Sequence, residues 1–243
     1  MTYTHAALAQ STTLTARTDF AIDAARRAEF VTAAQTLATF ATGKDGARFY
    51  RFFEDAEDAT RFTLLSEWPD EAARSVHLVA PHTRAFFTAL QSLRTAPETI
   101  RLYRTGESVA EADVSADPRA IGELPEPAAP TIEKTRERLA AVDMIGRPFV
   151  LFVDVPVREG GEAFMKASAH HIAAATRAEP GAIRYGYYQQ RDEPGAFLLF
   201  EWWDEFDAMA RHVELSHFRD LMQSFALVGG DGRSVRVFRP LPY

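Results

Sequence analysis

From residue 149 onward, the spacing of apolar positions changes period several times. Residues 149–155 are mostly β-branched or aromatic and close on Pro156, the pattern of a buried strand. Beyond Gly160-Gly161 the apolar positions fall at helical spacing over residues 162–177, until Glu179-Pro180-Gly181 stops the helix. Residues 185–190 and 197–203 return to strand character on either side of Asp192-Glu193-Pro194-Gly195, which predicts a hairpin-like pair. Residues 205–227 read as helical again, with a break near Ser216, and the glycine turn at 229–232 leads into a last strand over 235–238. Strand, helix, strand, strand, helix, strand gives one antiparallel sheet carrying both helices on one face.

The same order occupies residues 14–104. Displacing the chain against itself by 135 residues aligns Asp19 with Asp154, Gly46-Ala47 with Gly181-Ala182, Tyr50 with Tyr185, Phe62 with Phe197, and Trp68 with Trp203. His77 then meets His212, His82 meets His217, and Arg84 meets Arg219. Ordered matches without a gap indicate duplication. In the second copy Phe197, Leu199 and Trp203 point to one side of their strand, and Leu198, Phe200 and Trp202 to the other. A sheet apolar on both faces needs cover on both, and the sheet of the other copy is the natural cover for the second face. The predicted fold is α+β: two tandem ferredoxin-like (βαββαβ) modules with sheets back to back, an intramolecular dimeric α+β barrel with helices outside. Residues 1–104 form the first module and 149–243 the second. The linker, 105–148, holds a proline-rich stretch at 123–130 and a helix over 132–142.

Charge and composition narrow the partners. Lys plus Arg number 27 against 34 Asp plus Glu, a net charge of -7, and the basic residues are scattered, which argues against nucleic acid. The chain has 0 cysteines, which removes disulfides, thiolate zinc sites and cysteine nucleophiles together. No run approaches membrane-spanning length and the first 17 residues lack a leader pattern, so a cytoplasmic protein without membrane contact is expected. No nucleotide fingerprint is present, because Gly229-Gly230-Asp231-Gly232 follows a helix rather than a strand. Neither His-x-His nor HExxH spacing occurs, so no metal is expected.

The most specific local pattern is a strand ending in Trp, a His nine residues on and another five beyond: Trp68, His77 and His82, echoed by Trp203, His212 and His217. Residues five apart on one helix diverge by roughly 140°, but a restart at Pro81 or Ser216 lets both imidazoles face one cleft. Two readings stand: helix-end packing and capping, or a pocket. His170-His171 has no echo in the first copy, and at most one of the two rings can face the sheet, His171 being the candidate. Asp19 with Arg101, and Asp154 with Arg236, are expected to form cross-strand ion pairs.

The strings from Phe62 through Trp68-Pro69-Asp70 and His77 through His82 resemble the antibiotic biosynthesis monooxygenase (ABM) family. So do Glu179-Pro180-Gly181, Phe197 through Asp204, and His212 through Phe218. The likeness spans both modules, is stronger in the second and leaves the linker out. It implies a range of activities: cofactor-independent oxygenases of anthrones and quinols, haem-degrading enzymes, and, among tandem members, oxygenases dependent on reduced flavin that open angucycline rings. The chain has no asparagine, on which the haem-degrading branch relies beside Trp, so the resemblance points away from haem.

Chemistry of that kind needs a dry aromatic pocket and one base of moderate pKa, so that an electron-rich phenol or anthrone becomes an anion able to reduce O2. The second copy offers His212 or His217 as base, and Tyr185, Tyr187, Phe200, Trp202 and His171 around the substrate, with Trp203 as core. His77, His82 and Trp68 are the first-copy equivalents, on a module expected to be mainly scaffold. The expectation is a metal-free oxygenase of a polycyclic aromatic such as a polyketide phenol, using O2 with either no cofactor or reduced flavin (FADH2 or FMNH2) supplied by a separate flavin reductase. An internal pseudo-dimer, with or without further homodimerisation, completes it. The alternatives are a non-catalytic ligand-binding or stress-response protein of the same fold, and a cyclase or isomerase indifferent to oxygen.

Overall fold

Strand β1 (Leu14–Ile22) carries a buried residue at nearly every position, which requires cover on both faces. The computed structural model describes residues 13–105 and 132–242 and shows where that cover comes from; the proline-rich stretch at 123–130 lies outside the described residues. After β1, a short turn of 3-10 helix leads into α1 (Arg27–Gly43), then β2 (Phe49–Asp55), β3 (Arg61–Trp68), α2 (Glu71–Val79), α3 (Pro81–Leu93) and β4 (Arg94–Thr105). The linker contributes α4 (Ile132–Ala141). The second copy follows as β5 (Phe149–Pro156), α5 (Glu162–Thr176), β6 (Ala182–Gln190), β7 (Ala196–Trp203), α6 (Phe206–His212), α7 (Ser216–Val228) and β8 (Ser234–Pro240).

The duplication extends to strand register. Leu14 pairs with Trp68 on β1 and β3, and Phe149 pairs with Trp203 on β5 and β7. The two sheets do more than stack. They join at both edges, β2 to β8 and β4 to β6, and close into one antiparallel barrel of order β1-β3-β2-β8-β5-β7-β6-β4. Closure pairs both edges of every described strand, which removes the usual site of edge-to-edge aggregation there.

Three apolar cores follow from strand alternation. One lies inside the barrel and contains Phe53, Leu65, Val150, Phe152, Leu198, Phe200 and Phe238. The other two lie outside, between each half of the barrel and its helices. The second-copy core includes Phe197, Leu199, Trp203, Met165 and Leu221, together with Leu139 of α4. Charged side chains tie the halves together. Arg17, buried, bridges Asp19 of its own strand and Asp154 of the other copy at 3.0 and 2.7 Å, and Arg138 of α4 holds Glu57 at 2.8 Å.

Of the two expected cross-strand ion pairs, Arg101–Asp19 forms, at 3.0 Å. Asp154–Arg236 does not. Arg236 sits on the strand that meets β2 and turns across the seam to Asp55 at 2.5 Å, while Asp154 takes Arg17. Closing the barrel places a nearer partner from the other copy beside each residue.

Candidate active site

Helix α6 ends at His212, and the chain restarts as α7 at Ser216, so His212 and His217 come from different helices. That break brings their ring centroids to 5.4 Å. Between them stands a carboxylate that the turn after α5 delivers: Glu179 Oε1 accepts from His212 Nδ1 at 2.8 Å and from His217 Nε2 at 2.7 Å. A carboxylate only accepts, so both ring nitrogens carry their protons toward it. In the neutral ring, the His212 proton is thereby fixed on Nδ1 and a lone pair is left on Nε2. The ring is 1% exposed and packs against Trp203 and Phe218 at 5.0 and 5.1 Å between centroids. Its Nε2 is buried and has no hydrogen-bond partner among the described residues. Burial lowers the His212 pKa, and the hydrogen bond and charge of Glu179 oppose that, so the ring is neutral near neutral pH with its basic nitrogen free.

His212 borders a cavity of about 360 Å³ between the outer face of the second half-sheet and α4, α6 and α7. Leu151, Val153 and Leu199 form its floor, and Met209, Phe218 and Phe225 are among its walls. That volume lies at the lower end of the roughly 300–1,000 Å³ usual for small-molecule sites. The polar groups around it are few: Thr135, Arg233, His212 and Glu201. Glu201, 7% exposed, occupies a core-facing position of β7 and accepts from Trp203 Nε1 at 2.9 Å through Oε2. Burial lifts its carboxyl to about 7, with a smaller push from Glu179, against the Trp203 hydrogen bond.

The first copy keeps the histidine device in a different setting. Asp45 Oδ2 bridges His77 Nδ1 and His82 Nε2, both at 2.6 Å. Here the other nitrogen is engaged, His77 Nε2 lying 3.3 Å from the Tyr50 hydroxyl. Trp68 donates to Ser66 at 3.2 Å, so a neutral hydroxyl stands where the second copy has Glu201. Phe20, Phe30, Phe52, Phe62 and Phe86 pack ring to ring in the space next to it, with Phe30 and Phe62 at 4.6 Å. Their counterparts 135 residues on are Val155, Met165, Tyr187, Phe197 and Leu221, of which Leu221 borders the second-copy cavity.

The antibiotic biosynthesis monooxygenase family matches this chain twice, over residues 13–89 and 148–224. The chain belongs to that family. YcnE of Bacillus subtilis (strain 168), provisionally named a monooxygenase, is 32% identical over 72 residues, which are 30% of this chain and 76% of YcnE. An uncharacterised Synechocystis protein, sll1783, is 26% identical over 76 residues, covering 31% of this chain and 52% of that one. Two solved structures share the whole tandem fold. A Lactobacillus acidophilus NCFM protein, again provisionally titled a monooxygenase, has a TM-score of 0.73 at 12% identity over 95% of each chain. One from Fusobacterium nucleatum has a TM-score of 0.74 at 13% identity, over 96% of this chain and 94% of that one.

Within this ABM barrel the site residues expected from the sequence do not form one group. His212 lines the cavity, and His217 reaches it only through Glu179. Tyr185 and Tyr187 are buried on the helix-facing side, the first 6.1 Å from the His212 ring and the second 5.6 Å from Phe197, but neither borders the cavity. Phe200 and Trp202 face the opposite way. Phe200 is buried among the barrel residues and Trp202 packs on Phe53 and Arg51, because successive strand residues alternate sides. One ligand beside His212 cannot touch them through the sheet. His171 is exposed, since α5 turns Ile172 and Ala173 inward instead. In the first copy His77 and Trp68 are satisfied core residues and His82 closes the Asp45 bridge.

Sequence reasoning missed Glu179 and Glu201. Glu201 had a readable signal: a lone acid at a strand position whose neighbours on the same face, Leu199 and Trp203, are apolar. No helix among the described residues is long and apolar enough to cross a membrane.

Each His pair with its carboxylate presents three potential ligands for a cation. Ligands around a tetrahedral ion at the usual 2.0–2.1 Å stand roughly 3.3 Å apart. The 2.6–2.8 Å separations here are those of shared protons. A resident flavin nucleotide also fits poorly. The cavity holds one ring system, and the glycine turn beside it follows the C-terminus of α7, where carbonyls rather than amides are presented and a phosphate is disfavoured.

Proposed function

We propose that the protein is an oxygenase that oxidises a polycyclic aromatic, of the polyketide phenol, anthrone or quinol type, with O2, in the helix-side cavity of the second copy. The observation that carries this reading is the pairing of an apolar cavity with a buried imidazole whose Nδ1 is held by Glu179 and whose Nε2 is unpartnered among the described residues. An electron-rich aromatic reduces O2 only as its anion, so the protein must remove a proton in a place that excludes water. His212 is the base, held in one tautomer by Glu179, and His217 fixes Glu179 from the far side. Phe218, Phe225, Met209 and Met222 supply polarisable apolar walls for a flat ring system. Arg233 at the rim makes no ion pair among the described residues and faces the cavity as a counter-charge for a phenolate oxygen.

The first copy is scaffold on this reading, and it carries Phe86 where the cavity wall has Leu221. The substrate itself supplies the electrons, so reduced flavin from a separate reductase is an optional donor and no step requires it. Oxygen uptake by the purified protein with a panel of anthrones and hydroxyquinones, with and without reduced flavin, tests the proposal. Uptake that disappears in Leu221→Phe, the residue that the first copy carries as Phe86, is the expected result. No uptake under any condition would sink it and leave a ligand-binding protein, and turnover unchanged by strict anaerobiosis would make it a cyclase or isomerase.

A further inference from the structure

Besides Arg233, one ionisable side chain borders the cavity without a charged partner among the described residues. Glu201 lies in the floor, on the same strand face as Leu199 and Trp203, and its one hydrogen bond runs from Trp203 Nε1 to Oε2. Oε1 has no partner among the described residues, and no cation lies within ion-pair distance of the carboxyl. Removing a carboxyl from water without pairing it costs several kcal/mol, so a structural role would be served better by an apolar residue or by the hydroxyl that the first copy uses at Ser66. An unpaired acid beside a cavity and a basic imidazole is the arrangement expected of an acid–base pair.

We propose that Glu201 is a second catalytic residue, the neutral acid that protonates the hydroxide leaving when a substrate hydroperoxide breaks its O–O bond. The proposal rests on the oxygenase reading. With an anthrone-type methylene as substrate, His212 Nε2 takes one C–H proton, and the carbanion passes an electron to O2. The two radicals combine into a C–O bond, and the peroxy anion takes the proton back from the imidazolium. The second C–H proton then goes to His212 as its electron pair forms the C=O bond. The O–O bond breaks, and the departing hydroxide leaves as water with the proton of Glu201. Transfer from the imidazolium to the Glu201 carboxylate restores both groups. The net change is CH2 plus O2 to C=O plus H2O, with O2 as the only oxidant. Burial keeps a useful fraction of Glu201 protonated at neutral pH, which the role demands.

The test uses the full chain with 1,8-dihydroxyanthrone, following oxygen uptake, quinone and organic hydroperoxide together. Glu201→Gln and Glu201→Ser both keep an acceptor for Trp203 and remove the transferable proton. The expected result for either is oxygen uptake within about threefold of wild type, quinone per oxygen consumed lower by at least about tenfold, and hydroperoxide accumulating. In a single turnover of the wild type, D2O should slow quinone formation by about twofold or more and leave the preceding oxygen uptake unchanged, a readout independent of whether the variants fold. A folded variant with the wild-type quinone yield, or one losing uptake and quinone together, overturns the assignment, as does the absence of that isotope effect. If the wild type consumes no oxygen, the oxygenase reading falls and this step falls with it.

Discussion

Glu201→Gln should make the protein more stable, and only above a certain pH. The buried carboxyl is raised from 4.5 to about 7, so the folded state holds its proton over a range where the unfolded chain has already released it. Where the folded state binds more protons, stability falls as pH rises. The loss attributable to Glu201 therefore begins near 4.5, grows through 7 and is complete above it. At about 1.4 kcal/mol per pH unit the full gap is worth about 3 kcal/mol for a group only 7% exposed. Glutamine keeps the shape and the acceptor for Trp203 and cannot ionise. The variant should match wild type near pH 4.5 and exceed it by about 2–3 kcal/mol at pH 8, or roughly 5–10 °C in Tm for a chain of this size. Urea unfolding of both proteins at several pH values is the assay, and other titrations cancel in the difference. An equal difference at pH 5 and pH 8, or a variant less stable at pH 8, would refute the burial argument.

Leu221→Phe, which copies Phe86 into the cavity wall, should weaken binding of an anthraquinone by at least about tenfold with the fold intact; fluorescence titration and circular dichroism check both halves of that statement. His212→Ala should lower kcat for oxygen uptake by about 10²–10⁴-fold, and His217→Ala by less, because only His212 borders the cavity; equal losses would mean the pair acts as one structural unit. Glu179→Ala leaves the buried His212 Nδ1 proton without an acceptor and should cost about 1–3 kcal/mol in thermal unfolding as well as activity. Asp45→Ala removes the same bridge from the first copy, and should cost similar stability while leaving oxygen uptake in place.

The parts of this structure visible in the sequence are those that depend on local pattern. The six-element order of each copy, the helix break that brings His212 and His217 together, and the linker helix all follow from periodicity and stop signals. What depends on the neighbour across a seam was not visible. Arg236 chooses Asp55 over Asp154 because the barrel closes, a three-dimensional fact. Glu179 was hidden for a subtler reason. Its register mate is Lys44, and the first copy reaches the same spot with the shorter Asp45, one residue later, so a strict 135-residue comparison finds no match. Grouping Tyr187 with Trp202 ignored strand alternation: residues gathered for their aromatic character came from both faces of the sheet, and the sheet separates them.

The phenylalanine packing of the first half carries a consequence for how the second half can change. In a dimer of identical chains each substitution appears twice, so an unpaired acid in one wall would weaken both walls. Covalent fusion of the two modules lifts that symmetry. Ser66 and the ring cluster beside it can hold their half of the barrel rigid while the position opposite drifts toward reactivity. Tolerance to mutation should accordingly be lopsided along the chain, with the phenylalanine-packed half limiting how far the other can be loosened.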